Sequence, residues 1–457
     1  MIRFINREKE LKILKELWKL DNAFIIVYGR RRIGKTRLIE EFLKDKEGVS
    51  YTAEDVNKKI QVTEFKNILA EFLNDGFLRE IEIDSWSKLF SYLEKTLKLD
   101  KKFYIWIDEF SYLIKNDPSL ASILQKFVDK VLRKSKIIFI VSGSLFGIMK
   151  EKVLSHSSPL YGRRTKDILL TTISFSHAIK FLEFNFKDCL RTYLVIGGIP
   201  EYLFVASRYN NFYEFINKEF FEKNGYFYRE PFFLLSREFK EIKTYFSILN
   251  AVSYGNTSPT GIANFIGIKT REIYPYLELL IGFGFLERIT PLIGKRKAGI
   301  YIIKDAFFDF WFNFVHKNRG SIEKRVYSAN EKELASFFGK KFEYFVKEFL
   351  IETKIFPFTK IGKWWHKDKE IDIVALNEKT KEILFVECKW QRVNAEKICK
   401  ELAEKAGYVQ WHNDKRKESF AIFAKSFSKK IKEFEGRKVY CFDLKHLEMV
   451  FKRKLFK

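Results

Sequence analysis

Apolar residues follow two rhythms in the first 205 positions of this chain. Strand-like runs, largely apolar, at 23–28, 49–52, 103–107, 137–141 and 168–170 alternate with longer stretches, such as 35–43, 58–73 and 86–97, in which apolar positions return every three or four residues. Continuous runs suit strands buried on both faces, and the periodic stretches are long enough for crossover helices. The pattern predicts an α/β domain over residues 1–205, doubly wound on a parallel sheet.

Residues 206–237 are rich in aromatics and include Glu230-Pro231. With no Gly/Ser-rich tract to loosen them, they read as an ordered helical connector. From 238 to 325 the order is helix, short helix (260–266), turn, helix (270–283) and two strand-like pieces (285–289 and 299–303) around Gly294-Lys295-Arg296-Lys297. That order predicts a winged helix-turn-helix domain with the basic hairpin as its wing and Lys269, Thr270, Arg271 and Tyr274 heading the recognition helix. Residues 326–457 open with a helix (331–351) and continue with strands near 371–376, 383–387, 419–424 and 439–442, a further α/β domain.

Composition narrows the partners. The chain has 84 Lys and Arg against 59 Asp and Glu, a formal charge of +25 that attracts polyanions and makes nucleic acid the leading macromolecular partner. A Lys/Glu-rich surface with few Gln is also the habit of heat-stable proteins. Cys189, Cys388, Cys399 and Cys441 are scattered without CxxC spacing, which argues against a zinc knuckle or a disulfide framework. No uncharged run reaches the ~18 residues of a membrane span, and the N-terminus has no secretory core. A cytoplasmic protein without membrane contact is expected.

Chemistry concentrates first at Gly29-Arg30-Arg31-Arg32-Ile33-Gly34-Lys35-Thr36, a full GxxxxGK[ST] match set between a predicted strand and a predicted helix. Its glycines let the backbone wrap a phosphate, Lys35 is placed for the β- and γ-phosphates, and Thr36 for Mg²⁺. ATP with Mg²⁺ is the expected ligand. The run 103–107 ends in Asp108-Glu109, where Asp108 is placed to bind the cation through a water and Glu109 to orient or deprotonate the attacking water. The run 137–141 ends in Ser142-Gly143-Ser144, a position for a γ-phosphate sensor; spacing does not separate the two serines, and either can equally be a helix cap.

These motifs, with Phe4-Ile5-Asn6-Arg7-Glu8-Lys9-Glu10-Leu11, Ser158-Pro159-Leu160-Tyr161-Gly162-Arg163-Arg164 and Gly197-Gly198-Ile199-Pro200-Glu201-Tyr202-Leu203, make the first 205 residues resemble the archaeal ATPase family. That family is a branch of the STAND class of P-loop NTPases, related to AAA+ and origin-recognition ATPases. The resemblance implies that Arg7 and Glu8 lie near adenine and that Pro200 packs on the base. It also implies that Arg163 or Arg164 serves as an arginine finger toward a neighbouring subunit of a homo-oligomer, unless both pair with acids of their own domain. By the same resemblance, the winged helix either contacts DNA or packs back on the nucleotide domain to report its state.

A second set of acids lies near the C-terminus. Asp372 stands between Ile371 and Ile373, Glu387-Cys388-Lys389 ends the run 383–386, and Glu343 sits on the preceding helix. Two strands of a hairpin bring Asp372 and Glu387 to one sheet edge as ligands for Mg²⁺ or Mn²⁺, with Lys389 on the same face as Glu387 to act on water. The bland alternative is a strand-end ion pair. The arrangement resembles the PD-(D/E)XK nuclease superfamily in its restriction endonuclease-like form, which implies metal ligation by Asp372 and Glu387, a catalytic Lys389, Glu343 as the first-helix acid and a contact by Gln391. The usual Pro-Asp start is replaced by Ile371-Asp372. Trp364-Trp365-His366-Lys367 either stacks on unpaired bases or covers a core edge. The expected protein is thus an ATPase coupled to DNA contact, branched or single-stranded DNA included, with metal-dependent cleavage or a non-nucleolytic switch as its output.

Overall fold

The computed structural model describes residues 4–97, 100–144, 149–239, 241–294 and 299–455. The chain divides into two compact units, Met1–Ile173 with Ile199–Glu201, and Ser174–Gly198 with Tyr202–Lys457.

The first unit holds five parallel strands: β1 (Ala23–Tyr28), β2 (Gly48–Thr52), β3 (Phe103–Asp108), β4 (Ile137–Gly143) and β5 (Lys166–Leu169). Their order across the sheet is β2-β3-β4-β1-β5, so the first strand lies between the last two. β4 and all of β1 except Tyr28 are buried, which explains their unbroken apolar runs. Period-two alternation sends Phe24, Ile26, Phe139 and Val141 into one apolar cluster and Ile25, Val27, Ile138 and Ile140 into another. The second cluster is closed by Leu38, Ile39 and Phe42 of the helix Lys35–Leu43, which anchors that helix directly after the glycine loop. The expected parallel α/β fold is present.

The second unit begins earlier than the sequence boundary at 205. Phe175 and Phe186 pack edge-on or tilted against Phe451, and Phe175 also meets Phe345, so aromatic burial draws 174–198 into this unit. The connector is helical at Phe212–Phe220 and Glu230–Glu238. Helices Ile242–Ser253, Pro259–Ile266 and Tyr274–Gly282 follow, then the antiparallel pair β6 (Leu286–Ile289) and β7 (Ile300–Ile303). The third helix starts at Tyr274, later than the expected 270. Pro275 accounts for this: it is tolerated in a first turn but not in a helix interior, and Thr270–Glu272 forms a separate 3₁₀ turn. Lys295, Arg296 and Lys297 lie outside the described residues.

The long helix Glu331–Thr353 leads to a six-stranded mixed sheet of β8 (Lys360–His366), β9 (Lys369–Asn377), β10 (Glu382–Asn394), β11 (Lys417–Lys429), β12 (Glu433–Phe434) and β13 (Arg437–Asp443), ordered β12-β13-β11-β10-β9-β8. β9 and β10 pair antiparallel, and the helix Ala395–Gly407 connects β10 to the parallel β11. Strand β8 lies outside the sequence expectation. Its Trp364 is buried in the core with Ile371, Val374 and Phe385, while Trp365 is half-buried on the other face. Among the described residues no helix is long and apolar enough to cross a membrane.

Candidate functional site

The phosphate loop is shaped by two glycines. Gly29 has φ 152°, and a Cβ there would lie 2.5 Å from the Leu170 carbonyl oxygen; Gly34 caps the following helix at φ 90°. Lys35 is buried and its Nζ donates to the Gly29 and Arg30 carbonyls at 3.1 and 3.0 Å, so the ammonium spans the loop it serves. Arg31 Nη2 donates to the Tyr112 hydroxyl at 2.6 Å, and Arg32 sits at φ 66°. Ile33 is buried in the adjoining apolar cluster.

The strand-end acids meet this loop through hydroxyls. Exposed Thr36 donates to Asp108 Oδ2 at 2.7 Å, and fully buried Ser142 donates to Asp108 Oδ1 at 2.6 Å. Glu109, half-buried at φ 50°, caps the helix Phe110–Asn116 and receives the Ser144 hydroxyl on Oε2 at 2.6 Å. The two serines that spacing leaves equivalent therefore serve different acids. A hydroxyl beside a carboxylate is an all-oxygen pair of the kind Mg²⁺ takes, so Thr36 and Asp108 fit that cation.

Arg7 is buried. Its guanidinium donates to the Thr171 carbonyl at 2.6 Å, the Ile33 carbonyl at 3.2 Å and Glu10 at 3.2 Å, and burial lowers its pKa. It buttresses the loop from behind. Glu8 is exposed in the first turn of its helix. Pro200 opens the helix Pro200–Ala206, and the next residue's N–H approaches the Arg32 carbonyl at 3.5 Å. Arg163 pairs with Asp129 at 3.2 Å and Arg164 with Asp167 at 2.8 Å, so both are engaged inside their own unit.

In the second unit Val386 of β10 faces Ile373 of β9, and Asp372 and Glu387 stand at the next position along. Both are buried. Asp372 Oδ2 accepts the Cys388 N–H at 2.8 Å, and its pKa is raised by burial and by the charges of Glu387 and Glu343. Glu387 Oε1 receives Lys389 at 2.7 Å and Lys405 at 2.9 Å, while its buried Oε2 has no hydrogen-bond partner. Glu343 pairs with Lys363 at 3.0 Å, and burial raises its pKa also. Gln391 is exposed on β10.

Lys405 and Lys363 were not foreseen from sequence. They arrive from a later helix and from the unexpected strand β8, and no local spacing marks them. Glu343, Lys363 and Trp365 line a cavity of about 780 Å³ with Lys340 and Lys367. Among the described residues no group of three or more His, Cys, Asp or Glu is placed to hold a metal ion. Asp372 and Glu387 form a two-carboxylate set in which Glu387 Oε2 is buried without a hydrogen-bond partner.

Residues 4–204 match the family described as an ATPase domain predominantly from Archaea, and residues 311–401 match one described as "Archaea bacterial proteins of unknown function". The uncharacterized protein MJECL04 of Methanocaldococcus jannaschii is 35% identical over 457 residues, covering 96% of this chain and 99% of that protein. The uncharacterized ATP-binding protein MJ0423 of the same organism is 49% identical over 47 residues, 10% of this chain and 80% of that protein. Among solved structures, the Walker-type ATPase PABY2304 of Pyrococcus abyssi shares the fold with a TM-score of 0.50 at 18% identity, over 68% of this chain and 96% of that one.

Proposed function

This chain belongs to the archaeal ATPase family, with MJECL04 as a relative over nearly its whole length, and from that premise we propose that it is a Mg²⁺-dependent ATPase whose nucleotide state governs DNA contact by its second unit. The observation that carries this reading is the hydroxyl-linked set Thr36–Asp108–Ser142 and Ser144–Glu109 beside the phosphate loop.

In this reading the loop 29–36 wraps the phosphates, and Lys35 exchanges its carbonyl partners for phosphate oxygens. Thr36, and Asp108 through a water, would hold the Mg²⁺, which would supply charge neutralisation at the β- and γ-phosphates. Glu109 orients a water and takes its proton, with Ser144 holding the carboxylate. Arg7 supports the adenine side of the loop. A finger role for Arg163 or Arg164 requires one of their ion pairs to open in a homo-oligomer. The test is ATP hydrolysis with and without Mg²⁺, together with salt-dependent DNA binding in ATP and in ADP. Equal DNA affinity in all nucleotide states would sink the coupling.

The helices Ile242–Ser253, Pro259–Ile266 and Tyr274–Gly282, followed by β6 and β7, support a winged helix-turn-helix reading. Arg271 and Tyr274 are exposed near its third helix. Loss of duplex binding on Arg271→Ala is its expected signature.

A second reading is favoured by the unsatisfied Glu387 Oε2 beside the raised Asp372 carboxyl. It is that of a PD-(D/E)XK-like nuclease, in which Asp372 and Glu387 hold Mg²⁺ or Mn²⁺ and Lys389 acts on water. Branched, nicked and single-stranded DNA are offered with either metal to the wild type and to Asp372→Ala and Lys389→Ala. If the wild type cuts none of them, the second unit is a non-nucleolytic switch that binds DNA or a partner protein.

A further inference from the structure

Trp106 is engaged in a way the phosphate loop alone does not explain. It stands two positions before Asp108 on β3, so both side chains point to the sheet face covered by the helix Lys35–Leu43. On β4, Ile140 pairs with Trp106, and Ser142 stands two positions further on that same face. The indole is only 6% exposed and packs among Ile140, Ile39 and Phe42. An apolar ring would fill that space as well. The nitrogen, however, lies 2.8 Å from Ser142 Oγ, which lies 2.6 Å from Asp108 Oδ1.

Donor and acceptor rules fix the direction of this chain. An indole N–H only donates, and a serine hydroxyl has one proton. Ser142 therefore accepts from Trp106 and commits its proton to Asp108. Oδ1 also accepts the Glu109 N–H at 2.9 Å. With two donors on Oδ1, Oδ2 is the oxygen that meets Thr36 at 2.7 Å.

We propose that Trp106 is a positioning residue for the cation-holding carboxylate. Its N–H orients the Ser142 hydroxyl, and that hydroxyl sets which Asp108 oxygen is presented, beside Thr36, to the Mg²⁺ of MgATP. Without the indole N–H the Ser142 proton is free to turn away, and Asp108 loses the second donor that holds it. The inference rests on the reading of Asp108 and Thr36 as the cation's ligands. It also makes Ser142 part of the cation site and leaves Ser144 alone with Glu109.

The experiment compares wild type, Trp106→Phe, Ser142→Ala, Ser142→Thr, the Trp106→Phe/Ser142→Ala double variant and Asp108→Asn. Mn²⁺ binding to the ADP-loaded protein is followed by electron paramagnetic resonance, fluorescent ATP binding is measured in EDTA, and melting is recorded alongside. Loss of one buried hydrogen bond should weaken Mn²⁺ binding about fivefold in Trp106→Phe and in Ser142→Ala. In Trp106→Phe nucleotide binding in EDTA should stay as in wild type, Ser142→Thr should keep Mn²⁺ affinity, and the double variant should match Ser142→Ala. Wild-type Mn²⁺ affinity in Trp106→Phe overturns the proposal, and so does an equal loss of nucleotide binding in EDTA, which marks the indole as purely structural. Unchanged Mn²⁺ affinity in Asp108→Asn instead removes the premise about the ligands. Should Trp106→Phe fail to fold, indole N–H resonances decide: one of the eight should move both on Ser142→Ala and on adding Mg²⁺ to the ADP-loaded wild type. No shared signal overturns the proposal.

Discussion

Each unit sets a pair of acids on its sheet, Asp108 and Glu109 at the end of β3 and Asp372 and Glu387 within β9 and β10, and the two treat them in opposite ways. Asp108 accepts from the hydroxyls of Thr36 and Ser142 and from a backbone N–H, and Glu109 from the hydroxyl of Ser144, all of them neutral donors. Around Asp372, Glu387 and Glu343 they include ammonium groups, Lys389, Lys405 and Lys363. Neutral donors orient a carboxylate and leave its charge for an incoming cation. Lysines cancel the charge in advance, so a cation must compete with them. The first centre is thus poised for a metal that comes and goes with its nucleotide, and the second is arranged to stay folded with nothing bound.

The largest effect that sharpens this contrast is Lys35→Ala, which should weaken ATP binding on the order of 100-fold or more, while Lys389→Ala leaves it unchanged. Equilibrium binding of a fluorescent ATP measures both. Next, Glu109→Gln should bind ATP as wild type and lose turnover by about 100-fold or more. Undiminished hydrolysis would show that another base acts.

Stability probes the contrast from the other side. Asp372→Asn keeps an acceptor for Cys388 N–H and removes a buried charge, so it should stabilise the protein by about 2 kcal/mol in denaturant melts at pH 8. Asp108→Asn puts an NH₂ among donors and should destabilise it by about 1–2 kcal/mol. The contrast breaks if the two changes act alike.

A pH-dependent effect concerns Glu348, a half-buried carboxyl bonded to the Tyr193 hydroxyl, whose pKa desolvation pushes up to about 7. The folded state then holds this proton more tightly than the unfolded one. Its stabilising share is complete below the usual carboxylate range and is lost as pH rises through about 7. Glu348→Gln should therefore gain about 1–3 kcal/mol over wild type at pH 8 and little at pH 4, with the difference vanishing if the group titrates normally.

What the sequence made legible was what its neighbours determine. The loop 29–36, its flanking strand and helix, and Asp108-Glu109 are read from a few consecutive residues, because burial on both faces and a fixed glycine turn leave little choice. The order of the serines was not legible, since it depends on how β4 registers with β3. Nor were Lys363 and Lys405, which reach the second acid pair from elements whose local pattern says nothing of that destination. The two tryptophans of β8 illustrate the same limit. Strand alternation separates them, Trp364 to the core and Trp365 to the cavity, but the alternation is visible only once the strand is recognised. Arg163 and Arg164 had two open readings, and the observed partners Asp129 and Asp167 give each a task within its own unit.

The strand order also has a timetable in it. The phosphate loop leaves β1, but β1 pairs with β4 and β5, Gly29 lies against the Leu170 carbonyl, and the Arg32 carbonyl meets the N–H of Glu201. A growing chain makes the loop's residues first and their supports last. At about 5–20 residues per second the ribosome completes the site roughly ten to thirty seconds after its signature has emerged. During that interval the most recognisable segment of the protein has no fixed shape to offer a nucleotide, and ATP can reward only a unit whose synthesis is finished.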